Sequence, residues 1–263
     1  MQVFVESVGL IGPGLASWTA SRPILDGLTP FVPGNVLLRP PDSLPPAERR
    51  RTGAPVKLAI GAGLDALARS QRSADSLATV FASSGADGEM IHQICEVLAT
   101  PQRDVSPTRF HNSVHNAPAG YWSIALHSRA PSTSLCCFDW SFAAGLLEAC
   151  VWCQTEGEAV LLISYDLPYS EPLHAVRPIV GTFGAALLLA PQPTSAGFAR
   201  LEVHVAGEAG QATRMKDAAL EELRSNNPTG RALPLLRALA NPSAEQLVLD
   251  YLDRSLSISV TPC

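Results

Sequence analysis

Short apolar segments that alternate with helical segments limit how this chain can fold more than any other feature of its sequence. Residues 77–83, 133–138 and 158–164 are short runs typical of strands that are buried on both faces. Residues 88–99 and 140–155 lie between these runs and carry apolar side chains at helical spacing. Strands that alternate with helices predict a largely parallel sheet with helices on both faces, which is an α/β architecture.

The remaining segments predict a larger sheet and a different C-terminal part. Three stretches rich in β-branched and apolar residues predict further strands: 2–10, 182–189 and 199–206. We expect the last two to pair directly, because turn residues lie between them. Three stretches after residue 210 have helical spacing: 216–224, 233–239 and 243–253. Residues 255–260 alternate like an edge strand.

The chain has few charged residues for its length, and this favours a protein with a permanent partner. Of its 263 residues 16% are charged, well below the usual quarter, and the formal net charge is −5. Obligate interfaces are apolar and poor in charge, so the sparse charge points to such an interface. The acidic balance argues against a nucleic-acid binder, which would carry a basic patch.

Three features predict a cytoplasmic protein with reduced thiols and no membrane span. No stretch reaches the roughly 18 apolar residues of a spanning helix. The first residues carry Glu6 and no basic segment, so we expect no signal peptide. The cysteines include an adjacent pair, Cys136 and Cys137, and a CxxC, Cys150 and Cys153, which is not the spacing of a disulfide framework.

The most informative segment is the junction between the strand at 133–138 and the helix at 140–155. A cysteine at such a junction lies near a helix N-terminus, where the dipole lowers a thiol pKa and N–H groups can hold an oxyanion. Asp139 is predicted to cap the helix. Cys136 and Cys137 are therefore either a nucleophile and its neighbour or two core cysteines, and the junction alone favours the core.

Several motifs around this junction resemble the N-terminal half of a β-ketoacyl synthase of the thiolase superfamily. Residues 116–124 (NAPAGYWSI) resemble the segment before the nucleophile strand, and residues 133–137 (TSLCC) resemble that strand. The resemblance places Cys137 at the nucleophile position and Ala143–Cys150 in the buried helix. It implies a thiolase-like half-domain over residues 1–208, with a mixed five-stranded sheet covered by helices, and a helical extension over 209–263 that ends in an edge strand.

Departures from the ketosynthase pattern imply a subunit without its own catalysis. Phe138, Asp139 and Trp140 stand where ketosynthases carry small residues that leave the acyl tunnel open. No histidine has a context that matches the two catalytic histidines of the family. The motifs HNSVHNAPAGYWSIA and SFAAGLLEA resemble the truncated ketosynthase-like proteins of aryl polyene clusters, which act as chain length factors.

A chain length factor pairs with a full-length β-ketoacyl synthase, so the resemblance implies a heterodimer that shapes the acyl tunnel of its partner in aryl polyene or polyketide-type fatty acid synthesis. An acyl carrier protein is a second candidate partner. Proteins of this superfamily pair through the strand before the nucleophile and its neighbouring loops, here 111–122 and 132–140. The residues expected at the tunnel or partner interface are His111, Asn112, His115, Asn116, Tyr121, Cys137, Phe138 and Trp140.

Two other functions remain open: an acyltransferase or thioesterase that uses Cys137 with a local histidine such as His115, and a homodimeric carrier-binding or structural subunit. We expect no cofactor and no metal. Cys150 and Cys153 lie inside an apolar helix without a second ligand pair, so core packing is the better interpretation. His111 and His115 lack the glutamate of a helical zinc motif.

Overall fold

The computed structural model describes residues 1–208 and 210–263, which form eight strands and ten helices. The strands are β1 (Gln2–Ile11), β2 (Ala78–Ala82), β3 (Ser132–Leu135), β4 (Val160–Asp166), β5 (Phe183–Ala190), β6 (Ala199–Ala206), β7 (Glu245–Tyr251) and β8 (Arg254–Pro262). The helices are α1 (Trp18–Leu25), α2 (Pro46–Arg49), α3 (Ala54–Leu67), α4 (Gly88–Leu98), α5 (Pro107–Asn112), α6 (Ala117–Leu126), α7 (Ser141–Glu156), α8 (Leu173–Val176), α9 (Ala218–Asn226) and α10 (Leu233–Ala240). Two 3-10 turns, Phe138–Trp140 and Thr229–Ala232, precede α7 and α10.

All eight strands belong to one mixed sheet with the order β3-β2-β4-β5-β1-β6-β8-β7. β2 is parallel to both β3 and β4, but the other neighbours are antiparallel, so the prediction of a largely parallel sheet is wrong outside these three strands. β1 runs in the same direction as β4, because β5 is antiparallel to both. The strands β1 to β4 therefore all end at one edge of the sheet, which we call the carboxyl edge.

Helices cover both faces of the sheet, as predicted for an α/β fold. On one face the α7 side chain of Leu146 is buried in the same core as Leu162 of β4. On the other face α3 and α6 pack together, and the α6 side chain of Trp122 meets Phe81 of β2 edge to face. Both layers exclude water from the central strands, which explains why these strands are largely apolar.

The small residues of α7 allow the helix to approach the sheet closely. A Cβ atom added to Gly145 would lie 2.8 Å from Ala82 Cβ and 2.8 Å from Leu162 Cδ1. Such a distance is shorter than carbon atoms tolerate, so a larger residue would push the helix away from β2 and β4. Gly145 therefore fixes α7 tightly against the strands that lead to the carboxyl edge.

The sheet has eight strands instead of the five predicted, and its order differs on one side of β4. β5 and β6 were expected to pair directly, but β1 lies between them and pairs with both. The short turn-rich segment between β5 and β6 suggested a hairpin, whereas the pairing with β1 depends on a partner almost two hundred residues away, which local patterns do not indicate.

The C-terminal part contributes two of the additional strands. The helices predicted at 216–224 and 233–239 are present as α9 and α10, but the helix predicted over 243–253 is wrong, because this segment forms β7. Leu247 and Leu249 are buried on one face of β7, a spacing of two that belongs to a strand. β8 lies between β6 and β7, so β7 and not residues 255–260 is the edge strand. The division into units at 208 and 209 stays a prediction, and residue 209 lies outside the described residues.

Candidate functional site

Three parallel strands place polar groups together at the carboxyl edge. β2 is followed by Ser83 and Ser84, β3 is followed by Cys136 and Cys137, and β4 ends in Asp166. Ligand and catalytic sites in sheets of this kind lie beyond the carboxyl ends of parallel strands. The candidate site is therefore built around the cysteine pair and the two serines.

Cys137 lies between β3 and the 3-10 turn that precedes α7. Its backbone N–H donates a 3.0 Å hydrogen bond to Ser141 Oγ, which in turn donates to the Phe138 carbonyl oxygen at 2.7 Å. Burial, and to a smaller extent the neighbouring Cys136, raises the pKa of the Cys137 thiol. A raised pKa keeps the thiol protonated at neutral pH, which is the opposite of an activated nucleophile.

Asp139 does not cap α7, so that prediction is wrong. Ser141 begins the helix, and the residue before it makes no side-chain cap hydrogen bond. The Asp139 carboxylate instead pairs with Arg177 at 2.8 Å and faces Arg231 at 3.5 Å. An arginine pair attracts a carboxylate more strongly than neutral N–H groups at a helix end, and this draws Asp139 away from the helix.

His115 and Cys136 attach to two consecutive carbonyl groups at the end of β2. His115 Nε2 lies 3.1 Å from the Ser83 carbonyl oxygen, a distance at which an N–H there donates to it. The exposed Cys136 thiol donates to the Ser84 carbonyl oxygen, also at 3.1 Å. Within residues 1–208 and 210–263, no hydrogen bond connects either thiol of the pair to a histidine. His115 is thus engaged with the backbone and does not activate Cys137.

Asn112 and Tyr121 are buried and hold α5 against α6. The Tyr121 hydroxyl donates to Asn112 Oδ1 at 3.0 Å, and Asn112 Nδ2 donates to the Arg51 carbonyl oxygen at 2.8 Å. Burial is the main cause that raises the pKa of Tyr121. Both side chains therefore serve to position the two helices.

His111 and Asn116 are exposed on the rim of a groove between α5 and α6. The exposed apolar side chains of Phe110, Val114 and Ile124 lie at or beside the same groove. Of the residues predicted for the interface, His111, Asn116 and Tyr121 line this groove, and the buried Asn112 is bonded to Tyr121. Three more lie at the junction, and His115 is attached to the end of β2. The structure places these residues in two neighbouring areas and not in one cavity.

Phe138 is more exposed than its apolar character suggests, and its backbone is unusual. The side chain is 52% exposed, and φ is +51°, in the left-handed region that residues other than glycine rarely adopt. The Arg177 guanidinium carbon lies 3.5 Å from the centre of the ring, and the Trp140 ring centre lies 6.3 Å away. Phe138 and Trp140 therefore form an aromatic surface next to Cys137, at the start of α7.

A buried polar network at the end of β4 was not predicted from the sequence. The Asp166 carboxylate accepts hydrogen bonds from the Ser84 N–H at 2.8 Å, the Ser84 hydroxyl at 2.7 Å and the Thr229 hydroxyl at 2.7 Å. Burial raises the pKa of Asp166, and these hydrogen bonds act in the opposite direction. The signal in the sequence was an acidic residue at the end of a largely apolar segment, and such a position predicts a buried carboxylate with partners.

Other motifs of the sequence lie apart from this site. Cys150 and Cys153 are buried in the core on α7, as predicted, and burial raises the pKa of each to about 12. The described residues contain no group of three or more His, Cys, Asp or Glu side chains that could hold a metal ion. In the same part of the chain, every helix is too short or too polar to cross a membrane.

The fold is shared with solved ketosynthase complexes. A chain in the complex of the ketosynthase ApeO with its chain length factor ApeC from Xenorhabdus doucetiae matches with a TM-score of 0.73 and 22% identity, over 98% of this chain and 99% of that chain. The ishigamide ketosynthase/chain length factor matches with a TM-score of 0.69 and 14% identity, over 98% of both chains. A chain of the complex AntDE:AntF, a type II PKS acyl-carrier protein with its ketosynthase, matches with a TM-score of 0.70 and 12% identity, over 100% of this chain and 99% of that chain.

The sequence itself also matches a known family. No curated protein sequence matches this chain. Residues 30–250, which are most of the chain, match the model described as the N-terminal domain of β-ketoacyl synthase. The match includes β2, β3 and β4, the cysteine pair and α7. This chain therefore belongs to the β-ketoacyl synthase N-terminal domain family.

Proposed function

We propose that this chain is a non-catalytic chain length factor that pairs with a full-length β-ketoacyl synthase and shapes its acyl tunnel. The expected products are aryl polyenes or related polyketide-type fatty acids, and the expected location is the cytoplasm. An acyl carrier protein is a second partner in this proposal. Support comes from the solved ketosynthase/chain length factor complexes that share the fold and, above all, from the free edge of β3.

The outer edge of β3 is open and carries neither a charged residue nor a proline. β3 is the terminal strand of the sheet and pairs only with β2 among the described residues. Its sequence, Ser-Thr-Ser-Leu, contains no charged residue and no proline. Natural edge strands are normally protected by charges, proline or a covering segment, because a free edge recruits other strands. An unprotected edge supports pairing with a strand of another protein.

The opposite edge of the sheet shows the contrast. β7 carries Glu245 and Asp250, and the segment before α9 covers its middle. The Thr213 N–H donates to the Val248 carbonyl oxygen and the Val248 N–H donates to Thr213 Oγ1, both at 2.9 Å. β7 is therefore charged and partly covered, whereas β3 is neither, so we assign the partner to the β3 side.

Apolar side chains extend the proposed interface beyond the strand. α6 packs against β3, and the groove between α5 and α6 exposes Phe110, Val114 and Ile124. A contiguous apolar surface beside a free sheet edge is typical of a protein–protein interface. The low overall charge of the chain fits an interface that is permanent.

The state of the cysteines supports a role without catalysis. A ketosynthase needs an activated thiol together with acid and base groups that handle the thioester and its decarboxylation. The pKa of Cys137 is raised by burial, and His115 is engaged with the Ser83 carbonyl oxygen. We therefore expect Cys137→Ala to leave the output of the complex largely intact, and loss of product with an intact complex would contradict the proposal.

The free edge of β3 allows a specific test. The Thr79 N–H donates to the Pro131 carbonyl oxygen, and the Ser83 N–H donates to the Leu135 carbonyl oxygen. The backbone N–H and C=O groups of the odd-numbered residues of β3 therefore point towards β2. Backbone groups alternate along a strand, and the Ser134 N–H therefore points to the free edge. Ser134→Pro removes this donor without breaking a bond to β2, whereas Ser134→Ala keeps it.

The experiment co-expresses each variant with the full-length ketosynthase encoded nearby. We expect Ser134→Ala to form the complex and Ser134→Pro to lose it, while circular dichroism and melting temperature show that both variants are folded. A folded Ser134→Pro variant that binds the ketosynthase normally would contradict the proposed interface. Intact mass after incubation of the isolated chain with an acyl thioester tests catalysis, and an acyl adduct on Cys137 would favour an acyltransferase or thioesterase.

A further inference from the structure

The connection between β4 and β5, residues 167–182, crosses the carboxyl edge and reaches the junction before α7. Arg177 of this connection lies with its guanidinium carbon 3.5 Å from the centre of the Phe138 ring. The same guanidinium donates a hydrogen bond of 2.8 Å to Asp139 Oδ1. The Arg177 guanidinium thus contacts two consecutive residues of the junction: it lies over the Phe138 ring and donates an N–H to Asp139.

The ion pair between Arg177 and Asp139 belongs to a longer chain of charges. The second carboxylate oxygen of Asp139 faces Arg231 at 3.5 Å, and Arg231 pairs with Asp250 of β7 at 3.1 Å. Two arginines and two aspartates balance one another, so the Arg177 side chain, only 18% exposed, is held in one orientation by a neutral cluster. A side chain fixed in this way offers a rigid surface to the Phe138 ring.

The Phe138 ring needs such a surface because the core does not fix it. Half of the side chain is exposed, and the backbone at φ +51° is strained for any residue with a Cβ. Trp140 borders the ring on one side with a centre-to-centre distance of 6.3 Å. The guanidinium at 3.5 Å makes the closer contact, and an arginine above an aromatic face is attracted by the ring electrons.

We infer that Arg177 is a positioning residue that fixes the Phe138 ring and thereby sets the length of the acyl products of the complex. The inference rests on the proposed function, in which Phe138 shapes the tunnel of the ketosynthase. Arg177 touches neither substrate nor partner in this role and acts only through the ring. It adds to the proposed function a residue on a separate connection, 38 positions from Asp139 in the sequence.

The test separates the position of the ring from the products. 4-Fluorophenylalanine is incorporated at position 138, and the ¹⁹F resonance is recorded for the parent chain, Arg177→Met, Arg177→Lys and the exposed control Arg254→Met, each in complex with the ketosynthase. Acyl products on the carrier protein are measured by mass spectrometry for the same substitutions without the fluorine label, and for Phe138→Ala.

We expect Arg177→Met to shift the ¹⁹F resonance and to change the product lengths in the same direction as Phe138→Ala. Arg177→Lys keeps the charge and loses the planar contact, so it should give a smaller shift, and Arg254→Met should match the parent. An unchanged resonance in Arg177→Met would overturn the inference, as would a shifted resonance with parental products when Phe138→Ala alters them. Parental products from Phe138→Ala would instead overturn the tunnel role in the proposed function.

Discussion

The Thr229 hydroxyl donates a hydrogen bond of 2.7 Å to Asp166 Oδ2, and this bond joins the segment after α9 to the end of β4. The other carboxylate oxygen accepts from the N–H and the hydroxyl of Ser84. Ser84 in turn offers its carbonyl oxygen to the Cys136 thiol. One buried carboxyl group therefore links the C-terminal part of the chain to the strand ends that form the candidate site.

Removal of the Asp166 carboxyl group should destabilise the protein strongly. Asp166→Ala leaves the N–H and the hydroxyl of Ser84 without their acceptor in the interior, at about 1–3 kcal/mol for each. We expect a total loss of about 3 kcal/mol in the free energy of unfolding, measured by urea denaturation. Asp166→Asn keeps an acceptor oxygen for Ser84, and its amide can donate to the Thr229 oxygen, so it should cost about 1 kcal/mol.

The exposed Asp253→Asn serves as the control for this series, because it removes a carboxylate that no interior group depends on. If the free energy of unfolding of Asp166→Ala remains within about 1 kcal/mol of the parent value, the hydrogen bonds of Asp166 do not stabilise the fold as proposed.

The buried cysteines predict a loss of stability at alkaline pH. Burial raises the pKa of both Cys150 and Cys153 from 9.0 to about 12. The folded state then keeps protons that the unfolded state has lost, so stability is complete below pH 9 and falls as the pH rises towards 12. Each thiol should contribute a slope of about 1.4 kcal/mol per pH unit in this window.

Urea denaturation between pH 7 and 10.5 measures this slope. The double substitution Cys150→Ala and Cys153→Ala should flatten it, whereas the exposed pair Cys95→Ala and Cys263→Ala should leave it unchanged. Equal slopes in the parent and in the buried double variant would show that other groups cause the alkaline loss.

Alkylation should distinguish the two adjacent cysteines of the junction. Cys136 is exposed, whereas burial raises the pKa of Cys137, so iodoacetamide at pH 7.5 should label Cys136 before Cys137. Mass spectrometry of Cys136→Ala and Cys137→Ala separates the two sites, with the exposed Cys95 as an internal reference. If the ketosynthase covers residues 132–140 as proposed, the complex should protect Cys136 and leave Cys95 reactive. Faster labelling of Cys137 in the isolated chain would contradict the assignment.

The central strands could be predicted from the sequence because they carry their own signal. β2 and β4 are buried on both faces, so most of their residues are apolar, and the runs at 77–83 and 158–164 predicted them. The close approach of α7 also depends on a single residue, because only a residue without a side chain fits at Gly145. The composition of a segment is enough to predict a strand where the strand is buried on both faces.

The remaining sheet depends on distant partners and could not be derived in this way. β1 lies between β5 and β6, and β8 continues the sheet beyond β6, although nothing in the sequence of either strand identifies its neighbour. The same applies to the site: the position of Cys137 followed from motifs, but the contact of Arg177 with Phe138 depends on the path of the connection between β4 and β5. Sequence patterns indicate elements, whereas sheet order and cross-loop contacts are properties of the assembled fold.

Two substitutions of Phe138 separate the role of the ring from the strain of its backbone. Phe138→Ala and Phe138→Gly both remove the ring, but glycine adopts the observed φ of +51° without the cost of a Cβ. We expect Phe138→Gly to be about 1 kcal/mol more stable than Phe138→Ala in urea denaturation.

The cost of Phe138→Ala itself should stay below the 3–5 kcal/mol typical of a fully buried phenylalanine, because the side chain is 52% exposed. Under the proposed function, both variants should keep the complex with the ketosynthase and should lengthen or broaden the acyl products to the same extent, since both lack the ring. Mass spectrometry of carrier-bound products from the purified complexes measures the distribution. A parental distribution from both folded complexes would exclude a tunnel role for Phe138, and a change in only one variant would assign the effect to the backbone instead of the ring.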